Sequence, residues 1–399
     1  MGPIPRSERL EVLDVLRGAA LFGIITANMR AFNSPAATYM DHTLMWTGTP
    51  DRIAQGLVDL LVMGKFITLF SFLFGIGFAV QMDRAQARGV APQTFYRRRL
   101  AVLLVMGLAH MFLVWWGDIL TAYALMGFIL MLFRKRSQKT VLTWAVLLYA
   151  WPLLFGGVFA LLIAAGVNVP MPRKATAAEL ARTVQIYATG TYGQMLQARL
   201  KDAFFNLAGM FVFYPRCLGL FLLGLWTWRA GMVQDSSEAL LRRLRQWRKW
   251  GLWIGLIGNG VVVAIQEIYH PDPFSFSGLG FPLAIVGSIA VPALSLFYAT
   301  TIALASRRAD WQPRLRPLAA VGRTALTNYL LQTAICTTLY NSWGFGLYGR
   351  VGPLVGLAPT IIIYAAQVQA SAWWTGRFAF GPMEWLWRRL TYARALPVG

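Results

Sequence analysis

The residues of this chain with the clearest chemical potential are ionisable side chains inside long apolar segments. Four cations, Arg17, Lys65, Arg216 and Arg323, interrupt such segments. A charged group in hydrocarbon is costly, so by default it faces a bundle interior or an aqueous cavity and marks a functional site. Four cations together predict a binding site for an anionic ligand. The alternative is that they form internal salt bridges that hold a bundle together.

One histidine, His110, also lies in an apolar segment, and Asp118 follows at the end of the same predicted helix. Because eight residues are slightly more than two helical turns, the two side chains lie on roughly the same side. A neutral imidazole beside a carboxylate can act as a general base on a hydroxyl or amine. The alternative is a packing histidine. His42 and His270 are predicted in outer loops, and His42 stays a second candidate because its loop can overhang a cavity.

Polar residues are also spaced along helix faces. Arg17 and Asn28 are eleven residues apart, close to three helical turns or about 16 Å along one face. Asn328 and Gln332 belong to a row of polar residues that recur every four positions. Both patterns predict a polar-lined cavity, although such stripes also serve as contacts between membrane helices. Small residues at spacings of three and four predict close helix packing in the second apolar segment: Gly64, Thr68, Ser71 and Gly75.

The composition determines the class of element that carries these residues. Of 399 residues, 57% are hydrophobic and 13% are charged, whereas a soluble domain carries about 25% charged residues. This excludes a soluble fold and predicts a bilayer as the solvent. Cys217 and Cys336 lie in apolar runs, so neither a disulfide framework nor a metal site is predicted. The net charge of +21 is more typical of membrane topology than of a nucleic-acid partner.

Windows of about 19 residues with few charges predict an all-α membrane protein, a single bundle of ten transmembrane helices. The predicted spans are 13–29, 56–81, 100–116, 119–133, 140–166, 204–228, 251–267, 281–304, 318–337 and 353–374. The outer loop 167–203 has a helical pattern too short to span, which predicts an interfacial helix or a cap over a cavity. The tail comprises residues 375–399.

The Lys and Arg residues outside the spans are distributed unequally between the two faces. With alternating spans, 25 lie on the face that holds both termini and 8 lie on the other. This bias predicts that both termini are cytoplasmic. The basic run 242–250 is then interpreted as a cytoplasmic anchor rather than a nucleic-acid patch. The first apolar segment carries Arg17 and lacks a small-residue cleavage site before Asn33, so we interpret it as a retained span.

Five segments spread along the whole chain resemble the YeiB-type family of bacterial multi-pass membrane proteins, catalogued as domain of unknown function 418. They are LDVLRGAALFGIITANM at 13–29, KFITLFSFLFGIGFAVQ at 65–81, GLAHMFLVWWGDILTAYALMG at 107–127, GRTALTNYLLQT at 322–333 and FGPMEWLWRRLTY at 380–392. The resemblance therefore covers nearly all of the sequence.

That family is similar in turn to membrane acyltransferases, including heparan-alpha-glucosaminide N-acetyltransferase and the family-three O-acyltransferases. The shared feature is LRG in the first span, followed eleven residues after its arginine by a polar residue, here Asn28. The O-acyltransferases carry histidine at that place, so this sequence departs from them. The N-acetyltransferase branch carries asparagine and takes its reactive histidine from the following outer loop. The resemblance thus leaves the reactive histidine open between His110 and His42.

The resemblance implies acyl transfer from cytoplasmic acyl-coenzyme A, acetyl-coenzyme A included, to a hydroxyl or amine of an envelope glycan or lipid. The protein would lie in a bacterial inner membrane among lipids, need no metal, and be compatible with a homo-oligomer. Under this hypothesis Asp118 orients His110, and Arg17 and Arg323 hold the donor's phosphates. The other predicted donor-binding residues are Lys65, Asn28, Asn328, Gln332 and Arg216.

A transporter of organic anions is the rival from another class. It would use the same cations as its binding site and His110 as a proton carrier. Many transporters have related halves, and no internal repeat is visible in this sequence, which favours the enzyme. A non-catalytic signalling or scaffold protein with the same fold is a third interpretation.

Overall fold

The computed structural model describes residues 11–41, 45–87, 89, 92–168, 175–269 and 279–392. Every regular element in these ranges is a helix. The α-helices are α1 Glu11–Asn33, α2 Ala36–Asp41, α3 Thr49–Leu61, α4 Lys65–Ala87, α5 Pro92–Ala109, α6 Leu120–Leu130, α7 Gln138–Ala164, α8 Ala177–Thr189, α9 Tyr192–Ala208, α10 Met210–Arg229, α11 Glu238–Tyr269, α12 Gly280–Ala305, α13 Gln312–Arg323, α14 Ala325–Tyr340, α15 Pro353–Arg377 and α16 Pro382–Tyr392. A π-helix spans His110–Val114 and a 3₁₀ turn spans Met131–Phe133.

Seven helical segments in the described part of the chain are long and apolar enough to cross a bilayer. They are Glu11–Asn33, Thr49–Ala87, Gln138–Ala164, Phe211–Arg229, Glu238–Tyr269, Gly280–Ala305 and Pro353–Arg377. Several apolar helices of this length indicate a multi-pass membrane protein. The predicted class, an all-α membrane protein, is confirmed.

Three of the ten predicted spans, 100–116, 119–133 and 318–337, are helical but are not among these seven. The first is divided between α5 and the π-helix, and α5 also carries Arg97–Arg99, which lowers its hydropathy. The second is the short α6 with its 3₁₀ turn. The third is interrupted at Thr324, where the backbone leaves the helical region at φ −111° and ψ 34°. Window averages of hydropathy are insensitive to such local interruptions.

Another interruption lies inside the predicted second span 56–81, between α3 and α4. Gly64 takes a φ of +80° there, a left-handed conformation that glycine adopts without a steric penalty. Lys65 is therefore the first residue of α4. The sequence predicts that Gly64 serves helix packing, whereas in the structure Gly64 forms the turn between α3 and α4.

The first helix, α1, holds a central position in the bundle. About 61% of its most apolar window is buried, and it contacts α4, α12, α13, α14 and α15. Arg17 on this helix is half-buried.

Glycine allows α4 and α10 to pack with their backbones in contact. A Cβ atom on Gly75 of α4 would lie 1.9 Å from the carbonyl oxygen of Phe221, and one on Gly224 of α10 would lie 2.2 Å from that of Phe72. These separations are far below van der Waals contact. The predicted small-residue packing of the second span is confirmed at Gly75.

We expect Gly75→Ala to lower the melting temperature of the detergent-solubilised protein. The added methyl meets backbone, which cannot move away by changing rotamer, and overpacking of this kind costs about 1–3 kcal/mol. The matched control is Gly260→Ala in α11, where an added Cβ meets nothing within 4 Å. Equal melting temperatures for the two variants would contradict the close contact of α4 and α10.

Candidate functional site

A cavity of about 350 Å³ opens at the face of the bundle where α1 begins and α15 ends. Residues of α1, α4, α5, α6, α13, α14 and α16 line it. Its volume lies within the range of about 300–1,000 Å³ that small-molecule sites occupy. The lining has two regions of different chemistry, here named the basic end and the apolar end.

The basic end lies nearest the opening and contains five arginines and two carboxylates. They are Arg17, Arg84, Arg99, Arg323, Arg388, Asp14 and Glu384. The apolar end lies deeper and contains mostly large hydrophobic and aromatic side chains. They are Leu21, Ile24, Phe70, Phe74, Ile119, Leu120, Tyr123, Leu326 and Tyr329. The cavity therefore suits an elongated ligand with anionic groups at one end.

The arginines of the basic end are held in place by neighbouring groups. Arg17 Nη1 lies 2.8 Å from Asp14 Oδ1, three residues earlier on the same helix. Arg323 Nη2 donates to Thr375 Oγ1 at 2.9 Å. The guanidinium of Arg99 lies 3.5 Å from the ring centroid of Trp387. A held guanidinium binds a phosphate with a smaller loss of side-chain entropy, and its planar fork matches phosphate oxygens.

The tail helix α16 brings a carboxylate into the basic end. Glu384 accepts hydrogen bonds from the backbone N–H groups of Leu326 and Thr327 at 2.7 and 3.1 Å. The carboxylate thus caps the N-terminus of α14, where the helix dipole favours negative charge. Burial raises the pKa of Glu384 above its ordinary value.

Beyond the apolar end lies the histidine–aspartate pair. His110 Nδ1 is 2.9 Å from Asp118 Oδ1, and Asp118 Oδ2 accepts from the backbone N–H of Thr121 at 2.7 Å. A carboxylate accepts from Nδ1–H, so Nε2 of the neutral imidazole presents its lone pair. Within the described residues this buried Nε2 atom has no hydrogen-bond partner. The ring centroid of Tyr329, in the cavity lining, lies 5.4 Å from that of His110.

His110 begins a π-helical turn, a local widening that is frequent at functional sites. The N–H of Trp115 donates to the His110 carbonyl at 2.9 Å and closes the turn. From α9, the Tyr192 hydroxyl donates to the Leu113 carbonyl at 3.0 Å, and Arg199 donates to the same oxygen. The outer segment predicted as an interfacial helix or cap therefore forms α8 and α9, and α9 holds the turn that carries His110.

A buried carboxylate in α9, that of Asp202, predicts that the stability of the folded protein depends on pH. Asp202 accepts a hydrogen bond from the Tyr187 hydroxyl at 2.8 Å, and burial raises the pKa of Asp202 from 3.8 to about 6. The folded state therefore disfavours the ionised carboxylate, and stability from its protonated form is lost as pH rises through about 6. Relative to Asp202→Asn, we expect the melting temperature of the wild type to fall as the pH rises from about 4 to about 7. Parallel pH profiles for the two proteins would contradict this.

Two of the four predicted intramembrane cations lie outside this cavity. Lys65 is 1% exposed, and its Nζ donates to the carbonyl of Asp59 at 2.6 Å. Arg216 donates to the Tyr149 hydroxyl at 2.6 Å and lies over that ring. The structure brings Arg17 and Arg323 to one site and gives Lys65 and Arg216 partners elsewhere.

The predicted polar stripe of α14 is directed at a neighbouring helix. Asn328 Nδ2 donates to Ser371 Oγ at 2.9 Å, and Gln332 Nε2 donates to Gln367 Oε1 at 2.8 Å. These bonds join α14 to α15. The stripe therefore makes contacts between membrane helices, which was the alternative to a polar-lined cavity. Asn28 is half-buried and does not line the cavity. His42 lies outside the described residues.

Tyr329 and four charged residues of the cavity are functional candidates absent from the sequence-based prediction; the charged four are Arg84, Arg99, Arg388 and Glu384. These four charged residues lie near a predicted membrane boundary, where charges ordinarily serve topology. A usable signal was present in the family-like segment at 380–392, which mixes aromatic, acidic and basic residues at helical spacing. Only helix packing shows that these side chains share one cavity.

Comparisons with known proteins identify the family of this chain. The family model described as protein of unknown function (DUF418) matches residues 227–394. The uncharacterized protein YxaH of Bacillus subtilis (strain 168) is 35% identical over 415 residues, with 99% of this chain and 97% of the relative covered. The uncharacterized protein YeiB of Escherichia coli (strain K12) is 29% identical over 396 residues, with 98% of each chain covered.

A further relative is the uncharacterized 39.9 kDa protein in the amylase 3′ region of Bacillus acidopullulyticus. It is 30% identical over 410 residues, with 100% of this chain and 98% of the relative covered. Similarity thus extends over the full length of three relatives, as the sequence motifs predicted. The chain belongs to the YeiB-type family of multi-pass membrane proteins, described as protein of unknown function DUF418.

Proposed function

We propose that this protein is an acyltransferase that moves an acyl group from cytoplasmic acyl-coenzyme A to an acceptor hydroxyl or amine at the opposite face. The observation that supports this function best is the polarity of a single cavity. Arginines surround its opening, its deeper lining is apolar, and Tyr329 at that deeper end lies beside the His110–Asp118 pair. A donor with phosphates at one end and an acyl thioester at the other matches this order.

The basic end is the proposed phosphate site. Charge-assisted hydrogen bonds from guanidinium groups to phosphate oxygens are among the strongest available to a protein. Arg17 and Arg323 keep their predicted role, and Arg84, Arg99 and Arg388 join them. The apolar end then accommodates the arm of the donor and the acyl group that it carries.

In the proposed reaction, His110 Nε2 takes the proton of the acceptor hydroxyl or amine as that group attacks the thioester carbonyl. A bond forms between the acceptor atom and the carbonyl carbon, and the carbon–sulfur bond breaks. The imidazolium then returns the proton to the thiolate of coenzyme A, so no further reactant is consumed. Asp118 accepts from Nδ1–H throughout and keeps Nε2 directed at the acceptor.

The proposed topology has ten membrane-crossing segments in the bacterial inner membrane, with both termini in the cytoplasm. The excess of Lys and Arg on one face supports this orientation. It places the basic end on the side where acyl-coenzyme A is present. The acceptor, an envelope glycan or lipid, would approach from the side covered by α8 and α9.

An organic-anion transporter is the second candidate. It is favoured by the helix interruptions at residues 62–64 and at Thr324, because discontinuous helices are common in transporter sites. The two candidates differ in the fate of the ligand. A transporter moves the anion unchanged, whereas an acyltransferase releases a free thiol.

The test uses purified protein in detergent and in proteoliposomes. We expect acetyl-coenzyme A or a longer acyl-coenzyme A to raise the melting temperature, and addition of envelope glycans or lipids to cause release of free coenzyme A thiol. Movement of radiolabelled anion into vesicles without thiol release would support the transporter. Absence of both stabilisation and thiol release with every acyl-coenzyme A would overturn the acyltransferase proposal.

A further inference from the structure

Tyr329 occupies a special position between the cavity and the histidine–aspartate pair. It lies in the first half of α14, is 6% exposed, and lines the apolar end of the cavity. Its ring centroid is 5.4 Å from that of His110, with the rings tilted by 51°. His110 does not itself line the cavity, so a group bound at the deep end would meet Tyr329, with His110 packed beside that ring.

The hydroxyl of Tyr329 is buried, and its proton has no acceptor within the described part of the chain. Three other interior tyrosines differ: Tyr123 bonds with Ser71 Oγ at 2.8 Å, Tyr340 donates to Met29 Sδ at 3.2 Å, and Tyr364 donates to the Gly18 carbonyl at 2.7 Å. The hydroxyl of Tyr348 also lacks a partner among the described residues, but Tyr348 does not line the cavity. The backbone N–H of Ile119 lies beside the Tyr329 oxygen, but a buried hydroxyl proton without an acceptor still destabilises the fold. On a side chain that lines a cavity, such a proton indicates an acceptor supplied by the ligand.

A second buried hydroxyl nearby, Thr121 Oγ1, also lacks a partner among the described residues. It packs against α5, since a Cβ atom on Gly107 would lie 2.7 Å from it. Thr121 does not line the cavity. Of the two hydroxyls, only that of Tyr329 therefore belongs to a side chain that lines the cavity.

We propose that the Tyr329 hydroxyl donates a hydrogen bond to the carbonyl oxygen of the acyl thioester and to the oxyanion that forms from it. This assignment rests on the proposed acyltransferase function. As the acceptor attacks, the carbonyl π electrons move to oxygen, and Tyr329 stabilises that charge without losing its proton. When the carbon–sulfur bond breaks, the carbonyl re-forms and the hydrogen bond weakens. Tyr329 and His110 thus divide the work: one stabilises the oxyanion and the other carries the acceptor's proton.

The test compares Tyr329→Phe with the wild type in acyl-coenzyme A turnover. Removal of one oxyanion donor lowers kcat by about 10²–10³-fold in well-studied enzymes, and we expect a loss in this range with KM for the donor unchanged. We also expect the melting temperature of Tyr329→Phe to equal or exceed that of the wild type, because the variant lacks an unpaired buried hydroxyl. The matched control is Tyr340→Phe, which removes a partnered hydroxyl from the same helix and should keep wild-type kcat.

Three other outcomes would overturn the role of Tyr329, and one of them would also overturn the acyltransferase function. Unchanged kcat in Tyr329→Phe, with an active wild type, would overturn the role of Tyr329 and leave the acyltransferase proposal standing. Loss of turnover together with a large fall in the melting temperature of this variant would also overturn the role, because the loss would then reflect a damaged fold. No turnover by the wild type with any acyl-coenzyme A would overturn the acyltransferase function and the role of Tyr329 with it.

Discussion

His110→Gln is expected to lower acyl-transfer turnover by about 10²–10⁴-fold, the range that a positioned general base contributes. Glutamine keeps a hydrogen-bonding group beside Asp118 but cannot take a proton at neutral pH. We expect His110→Ala to abolish transfer as well, with an added loss of stability because it leaves the buried Asp118 carboxylate without its partner. Thiol release measures turnover, and thermal shift with acyl-coenzyme A measures donor binding, which should remain close to that of the wild type.

Asp118→Asn provides the companion experiment. The substitution removes the carboxylate that accepts from Nδ1–H, so the imidazole loses the interaction that keeps Nε2 unprotonated. Turnover should fall, and His110→Gln combined with Asp118→Asn should be little worse than His110→Gln alone, because the two residues act as a unit. Additive losses in the double variant would contradict the pair.

His42→Gln separates the two histidines left open by the sequence. Full activity in this variant beside a loss in His110→Gln would assign the reactive role to His110. Full activity in His110→Gln beside a loss in His42→Gln would transfer that role to His42. The two variants are expected to differ in turnover alone, so both should bind acyl-coenzyme A like the wild type.

Arg17→Gln and Arg323→Gln are each expected to weaken acyl-coenzyme A binding by about 10- to 100-fold. A hydrogen bond to a charged group contributes about 1.5–3 kcal/mol, and each variant removes one such donor from the basic end of the cavity. Calorimetric titration of the purified protein measures the effect. The difference from wild type should shrink at high salt, since screening weakens charge–charge attraction near an open mouth.

Arg216→Gln is the matched control for these variants. Arg216 is also an intramembrane arginine, but it bonds to Tyr149 and lies outside the cavity. Its loss should therefore leave donor affinity unchanged.

Asp14→Asn should have the opposite effect to Arg17→Gln and strengthen acyl-coenzyme A binding, because it removes a negative charge that lies 2.8 Å from Arg17. Equal affinity in all four variants would show that the basic end does not bind the donor.

Short-range relations in this protein follow from sequence alone. Hydropathy is summed over consecutive residues, so the all-helical membrane class is predicted correctly. The Arg17–Asp14 contact joins residues three positions apart in α1, and helical geometry brings them together without reference to the rest of the fold. The His110–Asp118 contact joins residues eight positions apart, but the predicted helix ends at Val114, and the turn before α6 brings Asp118 to His110. The family, too, is readable from continuous motifs such as those at 13–29 and 322–333.

Only the tertiary structure shows which side chains of different helices contact each other, because this depends on how one helix is oriented against another. Asn328 and Gln332 form a regular polar stripe, but only packing shows that the stripe contacts α15 instead of a ligand cavity. Arg99 and Glu384 are separated by most of the chain, and α5 and α16 bring them to the same opening. The composition and spacing of residues predict which side chains need a polar environment in a membrane, whereas the packing of helices determines which of them share one.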